Sequence, residues 1–327
     1  MTQKSDAKTW PIGLRLFNRP EHAERLLNSL KLQTKDLSAT PMFVRIDGYQ
    51  GSLDQQAGRP DRTSEVSKLV SNYFPHALVH QYAQNHGIAE VNFALQNDAY
   101  SDTSAEWCIF FEEDIVLEDT YIEALHHMIA LSQEVEEVVK VAIGQLNLGY
   151  INIPVNKNRS KFYLGQGTKA FAERRSFFLE RKHLTEIYLR TIAGRQYSSR
   201  DESEVFAALA ENGIFTVMGN NDVVHDRITS AMKRLHITSP ESLFTDVGVE
   251  GETNFVHPEI AVPDLKTANV FQTTQEDLRQ ALPLMQAEAH AFEYRFFKDF
   301  WGGYMVSKSG RLAINVLIKK LVASFSK

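Results

Sequence analysis

The sequence predicts an α/β protein with a mostly parallel sheet flanked by helices, and three observations predict it. Over the first 115 residues, short apolar runs alternate with segments whose apolar residues recur at helical spacing. The apolar runs end at polar or charged residues. The chain of 327 residues, 43% hydrophobic and 23% charged, is long enough to bury a large core. Strands that alternate with helices of this length indicate a parallel sheet with helices on both faces.

The first two strand–helix units are predicted from residues 11–73. The run PIGLRLF is followed by Asn18, Arg19 and Pro20, and proline suits the first turn of a helix. The apolar residues of that helix are Ala23, Leu26, Leu27 and Leu30. The second strand, PMFVRI, ends at Asp47 and Gly48. The apolar residues of the helix that follows are Val66, Leu69, Val70 and Tyr73.

Two further strands and two helices are predicted up to residue 129. The strand ALVHQY ends near QNHG, residues 84–87, and a helix with Ile88, Val91 and Leu95 on one face reaches about Tyr100. The fourth strand is WCIFF, which contains the single cysteine, Cys108, as a packed core residue. Apolar residues resume at 115–117, and another helix begins near Asp119.

Polar residues follow each of the four predicted strands. Open parallel sheets bind ligands at the carboxyl ends of their strands, so these residues are candidates for one binding crevice. The candidates are Asn18, Arg19, Asp47, Asn85, Gly87, Glu112, Glu113 and Asp114. Each of the earlier positions also has a structural interpretation, because Asp47-Gly48 suits a turn, residues 85–87 suit a loop, and Arg19 suits a solvated helix start.

The acidic triplet Glu112, Glu113 and Asp114 comes directly after an apolar strand. Carboxylates held close together repel one another and raise one another's pKa. A divalent cation removes that penalty, and hard oxygen ligands suit Mg²⁺ or Mn²⁺, which complete their shells with substrate phosphates. The alternative is an acidic helix N-terminus favoured by the helix dipole.

Two stretches, LFNRPEHAERLLNSL and FFEEDIVLEDTYIEAL, resemble the GT-A glycosyltransferases, particularly the inverting family 2 enzymes and N-acetylglucosaminyltransferase I. The resemblance implies a Rossmann-like half that binds a nucleotide sugar. It also implies that Asp114 holds the metal, that Glu112 and Glu113 face the donor sugar or ribose, and that Asp47 and Arg19 lie near the nucleotide.

A stretch in the second half, VVHDRITSAMKRLHITSPESLFTDVGVEGETN, resembles the segment of bacterial family 2 relatives in which Trp-Asp opens a helix and a glycine loop closes the site. The resemblance implies that Asp226 is the general base that accepts the acceptor hydroxyl's proton. Asp226 could instead cap the helix that carries Ile228. Asp201 and Glu202 are rival bases, and His257 is a candidate for the nucleotide phosphates or the metal.

The predicted domain organisation is a GT-A catalytic domain over 1–264 and a helical C-terminal extension over 265–327. Within the first, 1–115 is the nucleotide-sugar-binding half and 116–264 the acceptor-side half. Residues 301–327 carry five basic side chains and no acid, so a helix there could contact a membrane surface, the catalytic domain or a partner subunit. The N-terminus lacks an apolar signal core and no run suits a membrane span, which predicts a cytoplasmic protein, with membrane association through that helix as an option.

These observations and the resemblance predict a metal-dependent inverting glycosyltransferase with Mn²⁺ or Mg²⁺ as cofactor. Its donor is expected to be a nucleotide sugar, with a UDP-sugar as the first expectation. Its acceptor is expected to be a glycan or a lipid-linked glycan of a polysaccharide pathway. The net charge of −6 argues against nucleic acid as a partner. The alternatives are a sugar nucleotidyltransferase, whose glycine-rich signature is absent after the first strand, and a noncatalytic nucleotide- or glycan-binding module.

Overall fold

A computed structural model describes residues 9–304, apart from 145–161, 166, 168, 196–200, 217, 240, 242 and 249–268. The contacts divide the chain into two compact units. Unit 1 comprises Met1–Ile129, Thr168–Ser176 and Ser242–Pro263, and unit 2 comprises Ala130–Gly167, Phe177–Glu241 and Asp264–Lys327. The predicted domain boundary after residue 264 stays a prediction.

Unit 1 is built on a sheet of mostly parallel strands, in the order β3-β2-β1-β4-β8. Its strands are β1 (Ile12–Leu16), β2 (Met42–Ile46), β3 (Leu78–Gln81), β4 (Trp107–Glu112) and β8 (Ala170–Arg174). Strands β1, β2, β3 and β4 run parallel to their neighbours, and β8 runs antiparallel to β4. The predicted α/β class with a mostly parallel sheet is confirmed.

The helices that connect these parallel strands are α1 (Pro20–Lys31), α2 (Leu53–Gln56), α3 (Thr63–Tyr73) and α4 (Ile88–Ser101). Unit 1 also contains most of α5 (Tyr121–Ser132), which follows the apolar residues 115–117. Helix α1 packs on α3, whereas α4 packs on β1 and β2. Because parallel crossovers are right-handed, the reversal of strand order between β1 and β4 puts α4 on the opposite face from α1 and α3.

The burial of each strand follows its position in the sheet. Every residue of β1 is buried, as are five of the six residues of β4, because helices cover both faces of the central strands. Strand β3 lies at the edge and is largely exposed. The cysteine in β4, Cys108, is buried as predicted. Central burial makes the carboxyl ends of β1 and β4 a rigid base for the loops that follow them.

A two-stranded antiparallel ribbon follows the end of β4. It pairs β5 (Ile115–Leu117) with β10 (Phe244–Asp246), so that Asp246 lies opposite Ile115. The side chain of Tyr121 packs edge-on against Phe244 and donates to the carbonyl of Ala170 at 3.1 Å. The ribbon and β8 therefore bring two distant segments of the chain to the end of β4.

Unit 2 contains a second group of strands and most of the remaining helices. Strand β6 (Val138–Ile143) pairs in parallel with β9 (Leu235–Ser239), which pairs antiparallel with β7 (Tyr163–Leu164). The helices are α6 (Arg175–Ile192), α7 (Glu202–Ala210), α8 (Asn221–Ala231) and α9 (Gln275–Tyr304), and a 3₁₀ turn covers Val270–Gln272. Helix α9 packs on α8, β7 and β9.

The predicted helical C-terminal extension is described only through α9, which ends at Tyr304. The basic terminal segment, 301–327, for which contact with a membrane surface, the catalytic domain or a partner subunit was left open, lies mostly outside the described residues. Within the described part of the chain, no helix combines the length and the apolar character needed to cross a bilayer.

Candidate functional site

The strand order of unit 1 reverses between β1 and β4, and ligands of open α/β sheets bind outside the carboxyl ends of strands at such a reversal. The predicted residues Arg19 and Glu113 meet there. Arg19 Nε donates to Glu113 Oε1 at 2.6 Å, and the backbone N–H of Phe17 donates to Glu113 Oε2 at 2.7 Å. Glu113 thus joins the end of β1 to the end of β4.

Glu112 has a different place from the other two acids. It forms an ion pair with Arg15, the residue directly opposite it in the β1–β4 register. Both side chains are largely buried, with side-chain exposures of 13% for Glu112 and 8% for Arg15. The Glu112 carboxylate is thus engaged by Arg15 at the end of the sheet, and its predicted contact with the donor sugar or ribose stays a prediction.

Asp114 sits in the turn between β4 and β5, and its residue is 8% exposed. Its Oδ2 lies 3.1 Å from Lys169 Nζ and 3.8 Å from a guanidinium nitrogen of Arg19. Its Oδ1 is buried and has no hydrogen-bond partner among the described residues. A Cβ at position 248 would overlap Oδ2, so Gly248 lets the backbone pass directly over this carboxyl group.

Lys169 and Asp246 complete the cluster around Asp114, and neither was among the predicted site residues. Lys169 Nζ donates to Asp246 Oδ2 at 2.7 Å, and the Lys169 carbonyl accepts from Glu112 N–H at 2.8 Å. The signal for Lys169 lies in its position just before the strand AFAER. That position predicts a contact with Asp114 only when the pairing of β8 with β4 is known, and no local pattern in the sequence predicts this pairing.

Each acid of the triplet has a basic partner: Arg15 for Glu112, Arg19 for Glu113 and Lys169 for Asp114. The charge compensation that the sequence argument assigned to a divalent cation is therefore supplied in part by three side chains of unit 1. Burial raises the pKa of Glu113, and the neighbouring charge of Asp114 adds to the rise. The charge of Arg19 and the hydrogen bond from the Phe17 N–H act in the opposite direction.

The carboxylates around Asp114 are oxygen ligands of the kind that Mn²⁺ and Mg²⁺ prefer. Within the described ranges, no three His, Cys, Asp or Glu side chains come together as a metal site of their own. Ions of this kind are nevertheless often held by one or two carboxylates, with substrate phosphates completing the shell. Asp114 fits such a role, since its Oδ1 is a hard oxygen without a hydrogen-bond partner among the residues described. Asp246 supplies a second carboxylate nearby, since Lys169 Nζ contacts both acids.

Asp47 follows β2 and organises the loop after β3. Its Oδ1 accepts from the N–H groups of Gly48 and His86, both at 2.8 Å. Its Oδ2 accepts from Gly87 N–H and Asn85 Nδ2, both at 2.9 Å. Burial raises the pKa of Asp47, and these N–H donors act in the opposite direction. With four donors already bound, Asp47 shapes the loop at residues 85–87.

Asn85 and Gly87 form that loop, and Asn18 holds a second one. Gly87 has φ of 79°, a left-handed conformation that favours glycine, directly before α4. The Asn18 side chain donates to Asp54 Oδ2 and to the carbonyl of Pro60, each at 2.9 Å. It also accepts from the N–H of Arg62 at 2.6 Å, so Asn18 fixes the segment from α2 to α3 beside the end of β1.

In unit 2, the interpretation of Asp226 as a helix cap is wrong. Helix α8 begins five residues earlier and is capped by Asn220, whose side chain accepts from Val223 N–H at 2.8 Å. Asp226 lies inside α8, where its Oδ2 accepts from Gly167 N–H at 3.3 Å. Loss of hydration raises the pKa of Asp226 to about 7, and the charge of Lys140 limits the rise.

The rival bases have structural partners in unit 2. Asp201 caps α7, and its side chain accepts from Ser203 N–H at 2.9 Å. Glu202 accepts from Gly219 N–H at 3.2 Å. The pKa of Asp226, which burial raises to about 7, lies in the range that suits a general base at neutral pH. His257 lies outside the described residues.

Comparison with known proteins gives no match to any protein-family model or curated protein. Among solved structures, the chain is similar to S. aureus TarS, with 15% identity and a TM-score of 0.42 over 68% of this chain; it spans 42% of that TarS chain. TarS 1–349 in complex with UDP-GlcNAc gives 12% identity and a TM-score of 0.46, over 94% of this chain and 79% of that one. Likeness at this level assigns neither family nor activity.

Proposed function

We propose that the chain is a glycosyltransferase that uses a nucleotide-sugar donor, with the diphosphate bound where β1 and β4 end in unit 1. The observation that carries the proposal is the Asp114 carboxyl group. It is held at the end of a rigid central strand, beside Arg19 and Lys169, and its buried Oδ1 has no hydrogen-bond partner in the part of the chain that the structure describes. A carboxylate next to two cations at a strand-order reversal suits a diphosphate and its metal ion.

The residues of unit 1 would divide the work of donor binding. Arg19, one-third exposed, would face the diphosphate, and Glu113 would fix the direction of its guanidinium. Asp47 would hold the loop at residues 85–87 in the shape that receives the nucleoside. Asp114 would hold Mn²⁺ or Mg²⁺, whose chemistry is to neutralise charge that develops on the departing diphosphate.

Asp226 is our proposed general base. An inverting transfer needs one carboxylate that takes the proton from the acceptor hydroxyl as its oxygen attacks the anomeric carbon. A pKa raised to about 7 makes the ionised form available near neutrality while keeping it a strong proton acceptor. The acceptor is proposed to be a glycan or lipid-linked glycan, from the sequence resemblance.

The test is turnover with a panel of nucleotide sugars and hydroxyl acceptors, including water. Release of nucleoside diphosphate together with a glycosylated product supports the proposal. Release of pyrophosphate from a sugar phosphate and a nucleoside triphosphate would instead identify a nucleotidyltransferase. Product stereochemistry by NMR then shows whether the anomeric configuration inverts.

A noncatalytic binding module is the second candidate, and one observation favours it. Asn18, Asp47, Glu112 and Glu113 are all engaged in hydrogen bonds or ion pairs within unit 1. A module of this kind would bind the nucleotide sugar without any product on prolonged incubation, and substitution of Asp226 would leave its ligand affinity unchanged.

A further inference from the structure

The ammonium group of Lys169 bridges two carboxylates from separate segments of unit 1. Its Nζ lies 2.7 Å from Asp246 Oδ2 and 3.1 Å from Asp114 Oδ2. Two carboxylate oxygens that converge on one positive charge are the arrangement that a bound divalent cation also requires. Lys169 thus stands at the position where a metal ion held by these two acids would lie.

The two acids are placed by the backbone independently of the lysine. Asp114 lies in the β4–β5 turn, where its carbonyl accepts from Val247 N–H at 2.8 Å. Asp246 ends β10, opposite Ile115, and its Oδ1 accepts from Gly248 N–H at 3.0 Å. Removal of the ammonium charge would therefore leave two carboxylates facing the same space.

The lysine itself is the movable member of the group. Its backbone is fixed at the start of β8, but its side chain is 33% exposed and carries its charge at the end of a flexible four-carbon stem. A compact ammonium on such a stem can exchange one anionic partner for another without any change in the sheet. Phosphate oxygens are suitable partners for it.

We propose that Lys169 is a tethered cation that occupies the Asp114–Asp246 pair in the nucleotide-free protein and competes with divalent metal for it. The inference rests on the proposed function, in which Asp114 holds the metal. When a nucleoside diphosphate binds, its phosphates give Lys169 another anionic partner and leave both carboxylates to the metal. Nucleotide binding therefore strengthens metal binding, and by linkage the metal strengthens nucleotide binding to the same extent.

The expected effect of removing the charge is large. Repulsion between a divalent ion and an ammonium about 4 Å away corresponds to at least about tenfold in affinity, even at the dielectric constant of water. Lys169→Met keeps most of the aliphatic stem and loses the charge. We expect it to bind Mn²⁺ at least about tenfold more tightly than the wild type when no nucleotide is present.

The experiment titrates the full chain with Mn²⁺ alone and follows free Mn²⁺ by electron paramagnetic resonance. Lys169→Arg keeps the charge and should bind Mn²⁺ as weakly as the wild type. Lys68→Ala removes an exposed lysine on α3 and is the matched control for net charge. Lys169→Gln provides a second uncharged variant, and thermal melting checks that each variant is folded. Equal or weaker Mn²⁺ binding by both uncharged variants overturns the proposal.

A second titration repeats the series with saturating UDP. The wild type should gain Mn²⁺ affinity on addition of UDP, and Lys169→Met should gain less, because its carboxylates are already free. If neither UDP nor any other nucleoside diphosphate binds to either chain, the proposed function fails, while the nucleotide-free comparison still decides the role of Lys169. If UDP raises Mn²⁺ affinity equally in both, the competition is absent and the inference is wrong.

Discussion

Replacing Asp226 with asparagine separates a catalytic carboxylate from a structural one. Asparagine keeps the shape of the side chain and can still accept from Gly167 N–H, but it carries no charge and cannot take a proton at neutral pH. If Asp226 is the base, turnover should fall by about 10²- to 10⁴-fold, the range that general-base catalysis supplies. Donor and metal affinity should remain at the wild-type value.

The same substitution has a stability effect with a defined sign. The folded-state pKa of about 7 lies above the unfolded value of 3.8, so the folded chain binds this proton more tightly. Wild-type stability is therefore lost as pH rises from the unfolded pKa to the folded one. At about 1.36 kcal/mol per pKa unit, the shift lowers the free energy of unfolding by at most about 4 kcal/mol when the pH is above the folded-state pKa. Between about pH 5 and pH 8, the wild type should lose about 2.5 kcal/mol relative to Asp226→Asn.

The assay is urea denaturation of both chains across that pH range, together with turnover at each pH. Asn220→Ala is the contrasting variant, because it removes the real cap of α8 and should lower stability by about 1 kcal/mol at every pH. A stability difference between wild type and Asp226→Asn that does not change with pH would refute the raised pKa. Normal turnover by Asp226→Asn would refute the assignment of the base.

Two further predictions concern Lys140 and Asp47. The rate of transfer should fall about tenfold per pH unit below pH 7. Lys140→Met should move the midpoint of this pH–rate profile to higher pH, because the charge of Lys140 holds the pKa of Asp226 down. An unmoved midpoint would contradict this role of Lys140. Asp47→Asn should destabilise unit 1 by about 2 kcal/mol in urea denaturation, since the amide keeps one acceptor oxygen and leaves two of the four donors around Asp47 without an acceptor. A loss below about 1 kcal/mol would show that the loop does not depend on this carboxylate.

The local elements of unit 1 were predictable because their signals are local. Apolar periodicity and Pro20 identified the first helix, which the structure places at Pro20–Lys31. The strand PMFVRI likewise appears as Met42–Ile46. The edge strand Leu78–Gln81 was also identified, although it is mostly exposed, because the strands before and after it set the alternation.

Lys169, the partner of Asp114, was not predictable. Lys169 reaches Asp114 only because β8 pairs antiparallel with β4, and the residues concerned are 55 positions apart in the chain. Asp226 was expected near the start of its helix, but Asn220 forms the stronger cap because its side chain reaches the N–H of Val223. Contacts between distant segments depend on which strands pair in the folded sheet. The apolar periodicity of the sequence does not predict that pairing.

The decisive measurement for the proposed donor site is whether Asp114 supports donor binding through a cation. Isothermal titration with UDP, with and without Mn²⁺, should be done on the wild type, Asp114→Asn and Asp102→Asn, the last being an exposed aspartate at the end of α4. We expect Mn²⁺ to strengthen UDP binding in the wild type and in Asp102→Asn, and to have no effect in Asp114→Asn. Unchanged, Mn²⁺-dependent UDP binding by Asp114→Asn would contradict the account.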